Sequence, residues 1–377
     1  MKLNVENCIG CGVCAAVCPK QCISIQENKK GFFVPKIETT SCIDCDLCKK
    51  KCPVQEEHSA TWDPKIFFAL NRDTEVRFSS SSGGVFSEIA ERVLREGGVC
   101  FGVDFECEDK QAKYVEIRSK DELYKLRKSK YVQANPNNIL PQVKKCLEEK
   151  IPVLFSGTPC MVYALKTFLG KAYDNLITCD FICHGVPSAG VFKDYLCLLE
   201  KRYKSKVVSV DFRPKTYGWS KYSLRVGFEN GKIYDKLMML DPYFKAFMVD
   251  NIILNDGCYS CRYILTKYSD ITLADFWGYQ SINGELNDEK GLSLVFANTP
   301  RGLALFKQLE GIVAQEIPKE SVAYIFNKQI YGKKMLAKQE AFFNEYTKEK
   351  FKKCLEKYTA HPNWKERVKY YIRKILR

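Results

Sequence analysis

Short apolar runs and longer amphipathic stretches alternate along the middle of the chain. The apolar runs predict four buried strands, at 65–70, 98–103, 151–155 and 175–182. Apolar stripes with a period near 3.6 residues predict three helices, over 85–95, over about 161–168 and from about 189 onward. Strand–loop–helix units at this spacing predict an α/β fold with a largely parallel sheet, whose ligand-binding loops lie at the carboxyl ends of the strands.

Two other regions have patterns of their own. Residues 206–237 contain alternating runs around a Glu-Asn-Gly-Lys turn, which predicts antiparallel strands. From about residue 300 onward the pattern becomes helical and increasingly basic. The complete prediction is therefore a mixed fold in which an α/β domain is followed by a helical C-terminal region.

Composition places the chain among soluble globular proteins. Its 377 residues are 46% hydrophobic and 28% charged, enough for two or three domains. No apolar run approaches the ~18 residues that span a bilayer, and the first residues lack the apolar segment of a signal peptide. With 19 cysteines and no secretory signal, we expect a cytoplasmic protein that uses thiols for metal ligation rather than for disulfides.

The net charge of +14 is concentrated near the C-terminus. From Lys319 onward there are 16 Lys or Arg and 6 Asp or Glu, a net of +10. No nucleic-acid-binding motif accompanies this charge, so no nucleic-acid partner is expected. The last fifteen residues combine basic positions with an apolar stripe formed by Trp364, Val368, Tyr371, Ile372, Ile375 and Leu376. Such a helix can make peripheral contact with an anionic membrane surface, or it can dock on its own domain.

The N-terminal cysteines form an internal repeat. A Cys-x2-Cys-x2-Cys-x3-Cys-Pro run recurs 34 positions later, as Cys8, Cys11, Cys14 and Cys18, then Cys42, Cys45, Cys48 and Cys52. This spacing is typical of two [4Fe–4S] clusters in which the fourth cysteine of each run ligates the other cluster. We therefore assign one cluster to Cys8, Cys11, Cys14 and Cys52, and the other to Cys18, Cys42, Cys45 and Cys48. Zinc gives no reason for runs of three, and Cys22 lies outside the pattern as a spare buried thiol.

A serine- and glycine-rich loop precedes the helix predicted over 85–95. Residues 79–84 read Ser-Ser-Ser-Ser-Gly-Gly, and small residues leave backbone N–H groups uncovered at a helix N-terminus. That arrangement suits a phosphate or pyrophosphate group. The chain contains neither a Gly-x-Gly-x-x-Gly nor a Walker A sequence, which disfavours a Rossmann NAD site and an ATPase.

Four later cysteines lie in loops of the large domain. Cys160 and Cys183 follow predicted strands, and Cys258 and Cys261 form a Cys-x-x-Cys pair. From spacing alone the late pair could be half of a zinc site, a redox pair, part of another iron–sulfur site, or two buried thiols. Together the four residues supply enough thiols for a further cluster.

Seven motifs, in consistent order, give the chain a family resemblance. They are Ser-Ser-Ser-Gly-Gly-Val-Phe at 80–86, Ser-Lys-Tyr-Val-Gln at 129–133, Phe-Ser-Gly-Thr-Pro-Cys at 155–160, Cys-His-Gly-Val-Pro-Ser at 183–188, Phe-Arg-Pro-Lys-Thr-Tyr-Gly-Trp at 212–219, Cys-x-x-Cys at 258–261 and Ser-Asp-Ile-Thr-Leu-Ala-Asp-Phe-Trp-Gly at 269–278. The chain resembles the beta-subunit family of coenzyme F420-reducing hydrogenase and F420-dependent dehydrogenases, in its form with an N-terminal two-cluster ferredoxin domain. The implied domains are a ferredoxin-type domain over 1–60, a mixed α/β FAD domain over 65–310, and a basic helical tail over 311–377.

The resemblance implies cofactors and roles for individual residues. FAD and iron–sulfur clusters are expected, and Cys160, Cys183, Cys258 and Cys261 are expected to ligate a third [4Fe–4S] cluster beside the flavin. Ser81, Ser82, Gly83 and Gly84 would cradle the FAD pyrophosphate, Lys130 would offer a cation, and Thr158 and Pro159 would shape the flavin pocket. His184 and Asp275 are candidate proton sources. The sequence departs from the family at Met161, where Gln is common, and at Lys128, where Gly is common.

The resulting functional hypothesis is an oxidoreductase. Electrons would pass from a ferredoxin-like partner through the clusters to FAD and on to a small-molecule substrate, which is coenzyme F420 or another reducible metabolite. The main alternative is an electron-transfer subunit of a larger dehydrogenase, without a substrate site of its own. A cluster-bearing redox sensor is a weaker hypothesis, because no DNA-binding motif is present.

Overall fold

The N-terminal cysteine repeat surrounds a small hairpin. The computed structural model describes residues 7–55, 62–263, 266–282, 284–326 and 332–359. Strands β1 (Ile23–Glu27) and β2 (Phe33–Ile37) pair antiparallel. The helical turns α1 (Val13–Ala16) and α2 (Leu47–Lys50) each lie within a cysteine run. Each copy of the repeat therefore contributes one helical turn to this unit.

A nine-stranded mixed sheet forms the centre of the large domain. Its strands are β3 (Lys65–Asn71), β4 (Val99–Glu106), β5 (Gln111–Ile117), β6 (Ala134–Asn135), β7 (Val153–Ser156) and β8 (Leu176–Phe181), followed after a separate sheet by three more. The separate antiparallel sheet has β9 (Val207–Asp211), β10 (Ser223–Phe228) and β11 (Ile233–Leu237), as predicted. The last three strands of the large sheet are β12 (Ile271–Asp275), β13 (Ser293–Ala297) and β14 (Ile312–Glu316).

The large sheet is less parallel than the sequence predicts. Its strand order is β14-β3-β13-β12-β8-β7-β4-β5-β6. The central strands β12, β8, β7 and β4 are mutually parallel, but β3, β13 and β14 pair antiparallel, as does β5 with β4. Apolar runs reveal that a strand is buried but not its direction, so the prediction of a largely parallel sheet was wrong outside this central group. Strand β14 follows residue 310, where the sequence predicts the end of the large domain.

The helices match the periodic stretches of the sequence closely. They are α3 (Thr74–Phe78), α4 (Val85–Arg95), α5 (Ile139–Glu148), α6 (Pro159–Leu169), α7 (Ala189–Tyr203), α8 (Pro242–Phe244), α9 (Pro300–Lys307), α10 (Ala323–Phe326), α11 (Gly332–Glu345) and α12 (Phe351–Tyr358). A π-helical turn, Lys245–Val249, continues α8. Within the described ranges, no helix combines the length and apolar character needed to cross a membrane. The basic amphipathic stretch predicted for the last fifteen residues lies outside the described residues.

Local sequence explains where two important helices begin. Helix α6 starts with Pro159 at its first position, where proline costs no hydrogen bond because that N–H has no helical partner. Helix α7 is capped by Ser188, whose Oγ accepts a hydrogen bond of 3.1 Å from the N–H of Val191. Both helices follow parallel strands, β7 and β8, so the loops between strand and helix open at one edge of the sheet.

The ferredoxin-type unit packs tightly against the start of α7. The N–H of Gly190 donates to the carbonyl oxygen of Gly31 at 2.9 Å, and Ser188 Oγ donates to the carbonyl oxygen of Lys30 at 2.7 Å. Gly31 has φ +73°, and a Cβ there would lie 2.6 Å from Gly190 Cα and 2.8 Å from its nitrogen. Two backbones therefore touch at a point where neither has room for a side chain.

Replacing Gly31 by Ala will loosen this junction. The added methyl group meets backbone rather than a flexible side chain, so we expect a loss of about 1 to 3 kcal/mol in unfolding free energy. Gly231→Ala is the matched control, because Gly231 also has positive φ (+78°) but a Cβ added there would meet no described atom within 4 Å. In thermal unfolding and in limited proteolysis between the two domains, Gly31→Ala should be less stable than Gly231→Ala. Equal stability of the two would show that the close approach does not hold the domains together.

Candidate functional site

Four N-terminal thiols surround a small cavity. Cys8, Cys11, Cys14 and Cys52, here the first thiol set, line a space of about 30 Å³ together with Ile9, Pro35 and Pro53. Burial raises the pKa of Cys8 to about 11 and that of Cys14 to about 12, and neighbouring thiolates of the set add to both shifts. Four thiolates in one buried space therefore need positive charge from a bound group, which is what the irons of a cluster supply.

The second thiol set is closer to the surface. It consists of Cys18, Cys42, Cys45 and Cys48, of which Cys45 is exposed. Cys22, which the sequence leaves outside the pattern, is buried, and its Sγ lies 3.4 Å from Cys18 Sγ. Cys22 also interacts with Cys42, so this set has a fifth thiol at its edge. In the described part of the chain, no three His, Cys, Asp or Glu side chains are grouped as a single metal ion requires.

The structure brings the four later cysteines together. Cys160 interacts electrostatically with Cys261 and Cys183, and Cys258 interacts with the other three thiols. Burial is the main cause that raises the pKa of Cys160 to about 12, followed by the neighbouring Cys261 thiolate. Cys160, Cys183, Cys258 and Cys261 are named here the third thiol set. Donors at two strand ends and one distant loop thus form a set with the composition that a [4Fe–4S] cluster takes.

The loop that carries Cys258 and Cys261 is bound to the ferredoxin-type unit. Asn255 Nδ2 donates to the carbonyl oxygen of Cys8 at 3.0 Å. Tyr263 Oη donates to the carbonyl oxygen of Pro53 at 3.1 Å. Tyr263 also lies close enough to Cys160, Cys11 and Cys261 for each thiolate to raise its pKa, although burial is the larger cause. The first and third thiol sets are therefore neighbours across this loop.

A large cavity opens next to the third thiol set. Its volume is about 630 Å³, within the range of roughly 300 to 1,000 Å³ that small-molecule and cofactor sites occupy. Cys11 of the first set and both Cys160 and Cys183 of the third set line this central cavity. The ends of β7, β8 and β12 contribute Ser156, Phe181 and Asp275, so the cavity lies at the carboxyl ends of parallel strands, as the sequence predicts.

The serine-rich loop forms one wall of the central cavity. Ser81, Ser82 and Gly84 line it, whereas Gly83 packs behind them, with its N–H donating to Ser293 Oγ at 2.9 Å. Gly84 has φ +85° at the start of α4, and no side chain of the described residues caps that helix. Uncapped backbone N–H groups at an eleven-residue helix are suited to an anionic group.

Lys215 holds this loop from behind. Its Nζ donates to three backbone carbonyl oxygens, those of Arg77 at 2.5 Å, Ser82 at 2.8 Å and Lys290 at 2.5 Å. An ammonium group has three donors, so all of them are used in fixing the loop. Burial, followed by the nearby Arg213, lowers the pKa of Lys215 to about 7. Sequence reasoning missed Lys215, although it lies in the Phe-Arg-Pro-Lys motif.

The other three predicted flavin contacts differ in position. Lys130 lines the cavity, but its Nζ donates to the carbonyl oxygens of Lys125 at 2.5 Å and Arg127 at 2.7 Å, and burial lowers its pKa to about 8. Thr158 lines the cavity, and its Oγ1 lies 3.2 Å from Cys160 Sγ, while Pro159 is buried within α6. Lys130 is therefore turned toward its own loop.

Both candidate proton sources line the central cavity. His184 Nε2 donates to Asn251 Oδ1 at 2.7 Å, and its ring meets Phe247 edge-on. Asp275 accepts from Arg213 Nη1 at 2.6 Å and from Trp219 Nε1 at 2.9 Å, one bond to each oxygen. A carboxylate that accepts on both oxygens is suited to positioning its partners, whereas His184 can take part in proton transfer through its ring.

Family models match most of the chain. Two of them describe the beta subunit of coenzyme F420 hydrogenase/dehydrogenase: the model of its C-terminal part matches residues 152–320, and the model of its N-terminal part matches 66–140. The chain belongs to the coenzyme F420 hydrogenase/dehydrogenase beta-subunit family. The model of a 4Fe-4S dicluster domain matches residues 7–55, so this family member carries an N-terminal iron–sulfur domain. The family predicted from the sequence motifs is confirmed.

Comparison with individual proteins adds little to the family match. A search of curated proteins finds no match. Among solved structures, a chain of the F420-reducing [NiFe] hydrogenase complex from Methanosarcina barkeri is similar over 80% of this chain and 92% of that chain, with 15% sequence identity and a TM-score of 0.47.

Proposed function

We propose that this F420 hydrogenase/dehydrogenase beta-subunit family member is an iron–sulfur flavoprotein oxidoreductase. Electrons from a ferredoxin-like partner would pass through three [4Fe–4S] clusters to FAD and on to a small-molecule substrate, either coenzyme F420 or another reducible metabolite. The observation that carries the proposal is the position of the third thiol set. It adjoins Cys11 of the first set across Tyr263, and its members Cys160 and Cys183 line the central cavity.

Residues of this chain fit a flavin in the central cavity. The uncapped start of α4 and the hydroxyl groups of Ser81 and Ser82 suit the pyrophosphate, and Lys215 fixes the backbone of that loop. A buried guanidinium nitrogen at the cavity wall, Arg213 Nη2, has no hydrogen-bond partner in the described part of the chain. A flavin supplies the ability to accept electrons singly and to deliver them in pairs.

The second thiol set suits the entry of electrons. Cys45 is exposed, and the neighbouring Ile43 and Leu47 are apolar side chains that are also exposed, at 56% and 39%. A small apolar patch beside an exposed thiol is suited to brief contact with another electron-carrying protein. The first and third sets have no exposed thiol and both reach the central cavity, so electrons would run from the second set toward these two sets.

Anaerobic purification with iron, sulfide and flavin measured per chain tests the proposal. Three [4Fe–4S] clusters and one flavin predict about 12 irons and about one FAD. The same preparation is then mixed with a reduced ferredoxin, and bleaching of the flavin is followed before and after addition of coenzyme F420. About eight irons and no FAD would contradict the proposal and leave an electron carrier with no substrate site of its own.

A further inference from the structure

Arg213 is a buried cation with one guanidinium nitrogen that has no hydrogen-bond partner among the described residues. It follows β9 and is only 3% exposed. Its Nη1 donates to Asp275 at 2.6 Å and lies 3.5 Å from Tyr131 Oη. Its Nη2 is buried without a hydrogen-bond partner among the described residues. Of the buried polar atoms that lack a partner there, only this one belongs to a residue that lines the central cavity.

Aromatic rings enclose the guanidinium group. Its central carbon lies 4.4 Å from the ring centre of Tyr222 and 5.5 Å from that of Trp277. Trp277 stacks on the buried Trp219 with ring centres 4.4 Å apart and is itself 41% exposed, so Arg213 lies deeper than Trp277. A buried charged donor without an acceptor is costly, and flat aromatic walls favour a flat ligand. An oxygen or nitrogen on a planar conjugated ring fits these surroundings as the acceptor.

The neighbouring strands place this donor beside the third thiol set. Leu273 of β12 lies in parallel register with Phe181 of β8. Two residues further along the chain come Asp275, the last residue of β12 and the partner of Arg213, and Cys183, in the loop after β8. Adjacent strands are about 4.8 Å apart, so the two loops leave the sheet side by side. A ring that reached Arg213 would consequently also lie close to the thiols.

From these observations we infer that Arg213 Nη2 binds the electron-accepting ring of the flavin and compensates the negative charge that the ring gains on reduction. The inference rests on the proposed function. Two electrons and one proton added to a neutral flavin leave one negative charge, which is spread over the N1 and C2-carbonyl edge of the ring. Asp275, which accepts from both Arg213 and Trp219, fixes Arg213 at the cavity wall. Arg213 then binds the reduced flavin more tightly than the oxidised flavin.

Other cations at the cavity wall are less suited to this role. Lys128 forms an ion pair with Asp211 at 2.5 Å, and Lys130 donates to two backbone carbonyl oxygens. Arg127 donates to Ser87 Oγ at 3.0 Å and to Ser79 Oγ at 3.4 Å. Their charged groups are thus directed to the protein itself.

The test compares midpoint potentials of bound FAD in the full-length, cluster-loaded protein. The main variant is the double substitution Arg213→Met with Asp275→Asn, which removes both charges and leaves no unpaired buried carboxylate. We expect the preference for reduced over oxidised FAD to fall on the order of tenfold to a hundredfold, a potential about 30 to 60 mV lower for a two-electron couple. Arg213→Lys keeps the charge but not the planar donor. Its FAD midpoint potential should lie between that of the double variant and that of the unmodified protein.

A second readout needs no electron transfer. Sulfite adds to N5 of oxidised flavin through a new N–S bond, and the electron pair displaced into the ring leaves negative charge at the N1 edge. Bleaching by sulfite should therefore require on the order of ten times more sulfite in the double variant. The control is Arg225→Met with Asp235→Asn, because that Arg–Asp pair, 2.7 Å apart, lies on β10 and β11 away from the cavity lining.

The outcomes separate the two proposals. Unmodified protein that contains no FAD and takes none up would overturn the proposed function, and this inference with it. FAD bound at full occupancy in the double variant, with potential and sulfite affinity equal to those of the control, would overturn the role of Arg213 alone. A lower FAD potential and weaker sulfite addition in the double variant than in the control would support the role of Arg213.

Discussion

Cys160→Ala will remove about four irons from the protein while leaving FAD bound. Cys160 belongs to the third thiol set, and its substitution leaves three thiols where a [4Fe–4S] cluster takes four. The iron content should fall from about 12 to about eight per chain. Because two thiols of this set line the central cavity, reduction of the flavin by a one-electron donor should slow by on the order of a hundredfold or more, a barrier increase of about 2.7 kcal/mol.

Cys197→Ala is the control for this experiment. Cys197 is also a partly buried thiol on a helix, α7, but it does not line the central cavity. It should keep full iron content and normal flavin reduction. If Cys160→Ala left both the iron content and the rate of flavin reduction unchanged, the thiols of the third set would be structural. The visible spectrum and iron assay report the cluster, while stopped-flow mixing with reduced donor reports the electron path.

Gly83→Ala will abolish FAD binding and destabilise the large domain. A Cβ at Gly83 would lie 2.5 Å from the carbonyl oxygen of Ala69 and 2.8 Å from the nitrogen of Ser293. Both contacts are with backbone of the large sheet, which cannot move aside, so the serine-rich loop must shift. The shift would break the bond from Ser82 Oγ to the carbonyl oxygen of Leu292, which is 2.7 Å long. We expect a loss of about 1 to 3 kcal/mol in stability.

Gly284→Ala provides the matched comparison, since no atom of the described residues lies within 4 Å of a Cβ there. Flavin content per chain and the thermal unfolding midpoint should be measured for both variants, together with iron at the N-terminal domain. If Gly83→Ala retained as much FAD as Gly284→Ala, the serine-rich loop would not be the pyrophosphate site. Iron in the first and second thiol sets should stay unchanged, which separates loop damage from general misfolding.

Helical periodicity predicts helices better than apolar runs predict sheet direction. The helix predicted over 85–95 is α4 (Val85–Arg95), because its apolar stripe is continuous and faces the sheet. Strand β14 (Ile312–Glu316) falls where only helices were predicted. It is an edge strand in which Ile312 alone is buried, so it has no alternating apolar pattern to detect.

The candidate site was predictable in its thiols but not in its cations. The spacing of the cysteines and the order of the motifs are enough to propose the cysteines of all three sets as ligands, because a thiol is recognisable as a metal ligand from its residue type alone. Arg213 and Lys215 lie in the Phe-Arg-Pro-Lys motif, yet a sequence shows a charge without its burial or its partner. Only the fold shows that Lys215 uses three donors on backbone oxygens and that Arg213, among the described residues, keeps one unused.

The loop between Asn255 and Tyr263 links two halves of the molecule mechanically. Asn255 binds the carbonyl group of Cys8, and Tyr263 binds that of Pro53, the residue after Cys52. Both attachment points flank thiols of the first set, and the loop between them carries Cys258 and Cys261. A displacement of the ferredoxin-type unit would therefore also displace Cys258 and Cys261, so the shape of the first thiol set and that of the third are coupled.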